Sequence, residues 1–137
     1  AYKEMDATNK RVIELRDRLR EELSNKIDEI KINGNIEKWL PHILNISFNY
    51  VEGESILLNL DSSGICVSSG SACSSESLEP SHVLSAMGVP AEMAHGSIRF
   101  SLGRETTREE IDFTIETVAG VIKRLREMSP LYKKREA

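Results

Sequence analysis

The sequence predicts an α+β domain with a small mixed or antiparallel sheet of three to four strands. Two observations lead to this fold class. Apolar residues recur at steps of three or four in a long segment near each end of the chain, as in amphipathic helices. Between these segments, two short stretches alternate between apolar and polar residues, which is the pattern of strands with one face on a core. We therefore expect two long helices and some shorter ones to cover the sheet.

The first helix is predicted from about Met5 to Lys26. Its apolar residues lie on one side of the helix, and charged residues lie on the other sides. The apolar stripe consists of Met5, Val12, Leu15, Leu19 and Leu23. Residues 30–32 read as a short strand. The following Asn33-Gly34-Asn35 predicts a turn, because Asn and Gly accept the positive φ that such turns need.

The centre of the chain carries the clearest strand pattern. Its apolar positions are Leu44, Ile46, Phe48 and Tyr50, and its polar positions are Asn45, Ser47 and Asn49. Periodicity alone does not distinguish helix from strand over Glu54–Asp61. We predict a short helix there, because the glycine of Ser62-Ser63-Gly64 suits the left-handed position at a helix end. Residues 65–67 are then expected to form a short buried strand in which Cys66 is a small buried hydrophobic residue.

Four elements are predicted in the second half of the chain. Residues 80–88 and 90–96 each begin with Pro and end with Gly, which indicates two short helices. Over residues 97–103, alternation places Ile98, Phe100 and Leu102 on the core face and Arg99 on the opposite face. The last long helix starts with a capping-box spacing at Thr107 and Glu110 and is expected to end near Met128, before Pro130.

Composition limits the function classes. The 137 residues contain 18 Lys and Arg against 22 Asp and Glu, a formal net charge of -4, and basic residues cluster only at Lys133-Lys134-Arg135, which argues against nucleic-acid binding. No apolar run is long enough to span a membrane, and no signal-peptide pattern is present. Two cysteines do not make a disulfide framework, so a cytoplasmic protein with reduced thiols is expected. Because the sequence begins in a helical pattern without Met, we expect a piece of a longer protein.

The stretch Ser68–Ser75 holds one thiol, Cys73, among five hydroxyl groups and one glycine. Small residues leave backbone N–H groups free to stabilise an anion, and only the thiolate form of Cys is a nucleophile. The loop therefore suits sulfur or acyl chemistry at Cys73. The alternative interpretation is a flexible linker, which is the usual role of segments rich in Ser and Gly.

Other site patterns are absent from the sequence. It has no phosphate-binding loop ending in Lys-Ser or Lys-Thr, no dinucleotide fingerprint and no serine nucleophile elbow. His42, His82 and His95 are scattered and show no zinc spacing. Arg99 remains as a second candidate, because a guanidinium can grip a carboxylate through two parallel N–H bonds. The competing explanation for Arg99 is a surface salt bridge to an acidic residue.

Three linked motifs resemble one known family. They are residues 68–74 around Cys73, then 78–84 (Leu-Glu-Pro-Ser-His-Val-Leu), then 94–103 (Ala-His-Gly-Ser-Ile-Arg-Phe-Ser-Leu-Gly). Their succession looks like the C-terminal part of the cysteine desulfurases, the pyridoxal-phosphate enzymes of the NifS and IscS type. Residues 45–48 and 51–58 are similar to the same family. The resemblance implies that residues 1–137 are a single C-terminal small domain of a fold-type I enzyme, without its large cofactor-binding domain.

By this resemblance, Cys73 matches the family's nucleophile. It attacks the sulfur of substrate L-cysteine and becomes a persulfide while L-alanine leaves. Arg99 matches the arginine that holds the substrate carboxylate. The stretch between Ser69 and Pro80 resembles a catalytic loop that swings between the cofactor and a sulfur acceptor, such as an iron–sulfur cluster scaffold protein. The resemblance also implies a homodimeric parent enzyme that supplies sulfur for iron–sulfur clusters or thio-cofactors.

The family's pyridoxal phosphate is held by a lysine of the large domain. Lysines of this chain lie instead on or beside charged helix faces or in the tail, namely Lys10, Lys26, Lys123, Lys133 and Lys134. We therefore expect this chain to bind no cofactor and to be inactive alone. Two alternatives stay open: a freestanding persulfide carrier or interaction module without its own cofactor chemistry, and a related enzyme such as a selenocysteine lyase.

Overall fold

The computed structural model describes residues 2–33, 42–69, 96–130 and 132. Three helices and four strands lie in these ranges, in the chain order α1 (Tyr2–Lys26), β1 (Ile30–Ile32), β2 (Ile43–Phe48), α2 (Gly53–Ser62), β3 (Ser68–Ser69), β4 (Ser97–Ser101) and α3 (Arg108–Met128). The strands form one antiparallel sheet in the order β1-β2-β4-β3. The predicted α+β class is confirmed. The helices expected over 80–88 and 90–96 and the turn at Gly34 fall outside the described residues.

One face of the sheet forms the core together with the three helices. The side chains that β2 and β4 contribute are the predicted apolar positions of the two alternating patterns, which are at most 3% exposed: Leu44, Ile46, Phe48, Ile98 and Phe100. The helices cover them with their apolar stripes, including Leu19, Leu23, Ile56, Leu60, Val118 and Ile122. Binary patterning therefore sets which face of each strand is buried.

The predicted end of α2 and the predicted start of α3 are both confirmed. At the end of α2, Gly64 has φ 82°, its N–H donates to the carbonyl of Asp61, and the N–H of Ile65 donates to the carbonyl of Leu60. This pair of bonds is the Schellman arrangement, which satisfies carbonyls that a helix end leaves free. At the start of α3, the Thr107 side chain accepts from the Glu110 N–H, and the Glu110 carboxylate accepts from the Thr107 N–H, as the capping box predicts.

The prediction for residues 65–67 is wrong. These residues form no strand; the strand in this region is Ser68–Ser69, two residues long. Ile65 and Val67 are partly buried against the core, whereas Cys66 between them is exposed. The apolar neighbours misled the prediction, because two partly buried neighbours do not require that the residue between them is buried.

β2 is shorter than its sequence pattern suggested, because the chain turns after Phe48. Tyr50, expected to continue the strand, has φ 70°, and Glu29 before β1 has φ 54°. The Asn49 N–H donates to the Glu29 carbonyl, so the two turns are joined. A positive φ is uncommon for side chains larger than Gly, so contacts outside these turns must hold them.

Arg126 of α3 supplies those contacts. Its side chain donates to the carbonyls of Asn49 and Glu29, both at 3.1 Å, and to the Asp28 carboxylate at 2.8 Å. Only 4% of Arg126 is exposed, and this burial lowers the pKa of its guanidinium. The three acceptors offset the cost of burying the charge, and they tie the last helix to both turns.

Gly96 brings β4 against the end of β2. A Cβ atom at this position would lie 2.1 Å from the carbonyl oxygen of Phe48 and 2.7 Å from that of Val51. The Gly96 carbonyl in turn accepts a hydrogen bond from the Phe48 N–H at 3.0 Å. Only a residue without a side chain can enter the sheet at this point.

We predict that Arg126→Met lowers the free energy of unfolding by about 2–4 kcal/mol, because two turn carbonyls lose their donor. Arg124→Met, on the exposed side of the same helix, is the matched control and should change it by less than about 0.5 kcal/mol. Urea denaturation of both variants measures the difference. Equal effects would contradict a clamping role for Arg126.

We predict opposite effects for two Gly→Ala substitutions. Gly96→Ala should lower the free energy of unfolding by about 3 kcal/mol or more, because its Cβ meets backbone atoms that cannot move aside. Gly120→Ala should raise it by about 0.5–1 kcal/mol, because Gly120 lies within α3 with nothing within 4 Å of the added atom. Thermal or urea unfolding measures both. A stable Gly96→Ala variant would show that β4 does not need this close approach.

Candidate functional site

The face of the sheet opposite the core carries Arg99. Residues that lie directly across from each other form a row over the four strands: Asn33 beyond β1, Asn45 in β2, Arg99 in β4 and Ser68 in β3. Arg99 is exposed, as alternation predicted. The row therefore places an amide on one side of the guanidinium and a hydroxyl on the other.

The Arg99 side chain has one weak contact within the described part of the chain. Its Nη2 lies 3.4 Å from the hydroxyl oxygen of Ser68, which is long for a hydrogen bond. Among the described residues, no carboxylate forms a salt bridge with Arg99. The surface salt bridge proposed as the competing explanation is thus not formed with these residues, and the fork of N–H donors faces outward.

A buried polar network lies beside Arg99 on the same face. Asn33 Nδ2 donates to Asn45 Oδ1 at 2.9 Å and to the Ser47 hydroxyl at 2.8 Å, and the Ser47 and Ser97 hydroxyls are 2.6 Å apart. Asn33 is 1% exposed, and both serines are fully buried. Buried polar groups are costly unless they are paired, so this network fixes the side chains that belong to it.

Sequence reasoning did not identify this network. It assigned Asn33 to a turn and treated the polar positions of the strands only as the face away from the core. The available signal was the small size of Ser47 and Ser97, since small hydroxyl residues at directly paired strand positions can hydrogen-bond across the strands. The burial of that face could not be read from the alternation.

The candidate nucleophile, Cys73, lies outside the described residues, and so do His82 and His95. His42, the remaining histidine, is exposed at the start of β2. In residues 2–33, 42–69, 96–130 and 132, every helix is too short or too polar to span a lipid bilayer. The same ranges hold no group of three or more His, Cys, Asp or Glu side chains arranged to bind a metal ion.

A Schiff-base site for pyridoxal phosphate needs a lysine in a polar pocket. Lys10, Lys31 and Lys123 are exposed, and Lys26 Nζ lies 3.2 Å from the carboxylate of Glu116. The lysine side chains that the structure describes therefore do not fit this cofactor. The expectation that the whole chain binds none stays a prediction.

A groove of about 390 Å³ lies beside β4. It runs between residues 64–67 and the start of α3, and its lining includes Cys66, Phe100, Leu102, Glu109 and Phe113. Phe100 and Leu102 belong to the core face, opposite in parity to Arg99. Arg99 does not line this groove, so Cys66 and Arg99 do not share a site.

Comparison with known proteins agrees with the resemblance that the motifs indicate. A family model described as aminotransferase class-V matches residues 1–113. The chain is 57% identical over 133 residues to a protein named cysteine desulfurase IscS from Pectobacterium atrosepticum, covering 97% of this chain and 32% of that protein. It is 53% identical over 130 residues to a protein of the same name from Dictyoglomus turgidum, covering 95% of this chain and 33% of that protein.

A solved structure described as a NifS-like protein is similar to the fold. Its TM-score is 0.74 at 30% sequence identity, covering 89% of this chain and 30% of that chain. The α+β arrangement is therefore shared with a NifS-like structure. The chain spans about a third of the length of the curated relatives it matches.

We predict that Asn33→Ala lowers the free energy of unfolding by about 1–3 kcal/mol, because the buried Ser47 hydroxyl and the partly buried Asn45 amide lose a donor. The matched control is Asn59→Ala in α2, where the amide donates only to the Ser55 carbonyl one turn away. That variant should stay within about 0.5 kcal/mol of the unmodified chain. Chemical denaturation compares the two; a neutral Asn33→Ala would mean that the network contributes no stability.

Proposed function

The chain belongs to the aminotransferase class-V family, and from this we propose that it is the C-terminal small domain of a cysteine desulfurase. The whole protein removes sulfur from L-cysteine, leaves L-alanine, and passes the sulfur on from Cys73. The high identity to proteins named cysteine desulfurase over 95–97% of the chain supports this function.

The observation that carries the proposal is the position of Arg99. It is exposed, it forms no salt bridge with the described residues, and it lies on the strand that pairs directly with β3. A planar guanidinium with free N–H groups is the side chain best suited to hold the carboxylate of an amino acid. We assign this role to Arg99.

Chain connectivity supports a role for Cys73 beside Arg99. Ser68 lies directly across from Arg99, and Cys73 is five residues further along the chain. An extended chain advances at most about 3.6 Å per residue, so the Cα of Cys73 lies within about 18 Å of that of Ser68 in any conformation. Such a tether is short enough for the thiol to reach a substrate held by Arg99.

In the proposed reaction, the Cys73 thiolate attacks the sulfur atom of L-cysteine. An S–S bond forms and the Cβ–S bond of the substrate breaks. Its electron pair stays on the carbon, which takes a proton to become the methyl group of L-alanine. Cys73 is left as a persulfide, and a second thiol or a cluster scaffold protein accepts the terminal sulfur.

The lysines described above do not fit pyridoxal phosphate, so we assign the cofactor to the remainder of the whole protein. We also propose that the whole protein is a homodimer, as the family resemblance implies, and that it is cytoplasmic, as its two cysteines with reduced thiols would suit. The segment after Ser69 then collects the sulfur at the substrate and presents it to the acceptor. Cys66 has no part in this scheme, because it lines a groove that Arg99 does not line.

The test is the rate of L-alanine formation from L-cysteine by the full-length protein with pyridoxal phosphate and a reductant. Cys73→Ser should lower this rate by about two orders of magnitude or more, because a hydroxyl is a far weaker nucleophile and cannot carry a persulfide. Cys66→Ser is the matched control and should stay within about twofold of the unmodified enzyme. Full activity in Cys73→Ser, or an equal loss in Cys66→Ser, would contradict the proposed roles.

A further inference from the structure

We propose that Asn45 is a second substrate-binding residue, whose side-chain amide donates a hydrogen bond to the carboxylate that Arg99 holds. This inference deepens the proposed function and rests on it. Asn45 lies in the stretch 45–48 that resembles the same family, but the resemblance assigned it no role.

The sheet places Asn45 beside Arg99. Asn45 and Arg99 are directly paired between β2 and β4, and both side chains lie on the face of the sheet away from the core. Directly opposite residues have Cβ atoms about 5 Å apart. The amide and the guanidinium can therefore contact the same small anion.

The Asn45 amide has an unused donor among the described residues. Asn45 Oδ1 accepts from Asn33 Nδ2 at 2.9 Å, on the side of β1. Nδ2, the other end of the amide group, donates no hydrogen bond to a described residue, and Asn45 is only partly buried. The face of the sheet that carries Arg99 therefore also carries an amide donor that a ligand can use.

The neighbours of Asn45 hold its side chain in place. Asn33 is held by two hydrogen bonds and is 1% exposed, and its partner Ser47 is fully buried against Ser97. Asn45 is therefore oriented before any substrate arrives. Groups fixed in their binding geometry lose little conformational freedom when the ligand binds, so more of the interaction appears as affinity.

A carboxylate can accept hydrogen bonds from both side chains. An ionised carboxylate has two oxygens with about four lone-pair sites, and a guanidinium fork uses two of them. A neutral amide donor can take a third without adding charge. The pair of Arg99 and Asn45 therefore favours an amino acid with a free α-carboxylate over an amine of the same size without one.

The test compares steady-state kinetics of the full-length, cofactor-loaded protein on L-cysteine and on cysteamine, which lacks the carboxylate. Asn45→Ala should raise KM for L-cysteine by about tenfold while kcat stays within about twofold, because a hydrogen bond to a charged group is lost at the binding step. The preference for L-cysteine over cysteamine should fall by the same factor. Ser101→Ala, on the same face of β4 two residues from Arg99, is the matched control with unchanged KM.

Asn45→Asp tests the Nδ2 donor at nearly constant side-chain size. It keeps the size and the acceptor that Asn33 uses, but it removes the Nδ2 donor and adds a negative charge. We expect a higher KM in Asn45→Asp than in Asn45→Ala. An unchanged KM in either variant would overturn the role of Asn45. If the unmodified protein forms no L-alanine, the proposed function itself fails. If it forms L-alanine but KM is unchanged in the Asn45 variants, only the role of Asn45 fails.

Discussion

The pairing of β2 with β4 is the contact on which the rest of the structure depends. It joins segments about fifty residues apart, with Asn45 opposite Arg99 and Ile46 opposite Ile98. Successive pairs lie on opposite faces of the sheet, because side chains alternate along a strand. One face completes the core under the helices, and the other aligns the amide and the guanidinium. Gly96 makes this pairing possible, since its backbone packs directly on the end of β2.

The polar face illustrates how stability and function are combined in one small sheet. Asn33, Ser47 and Ser97 are nearly or fully buried although they are polar, and hydrogen bonds across three strands satisfy most of their groups. A fully apolar face of the same shape would avoid the cost of desolvation. What the polar version provides is orientation, because a hydrogen-bonded amide has one preferred direction. That orientation is the basis for assigning Asn45 to the substrate.

Much of the fold could be predicted from local sequence patterns. The stripe from Leu15 to Leu23, the alternation in β2 and β4, and the capping box at Thr107 depend on neighbours three or four residues away at most, so the sequence contains the information. The exposure of Arg99 could likewise be predicted from the alternation in β4. Cys66 was misassigned because its two neighbours are apolar, and the buried network was missed because it joins residues of β2 and β4 to Asn33, which follows β1. The clamp formed by Arg126 was missed for the same reason, since its acceptors lie more than seventy residues away.

The proposed chemistry of Cys73 is inferred from residue type, family membership and the short tether to Ser68, opposite Arg99. The most direct measurement is mass spectrometry of peptides from the full-length protein after brief exposure to L-cysteine without reductant. Our account predicts one added sulfur atom on the peptide that contains Cys73, removable by a thiol, and none on a peptide that contains only Cys66. Added sulfur on Cys66 alone, or on neither cysteine while L-alanine still forms, would contradict it.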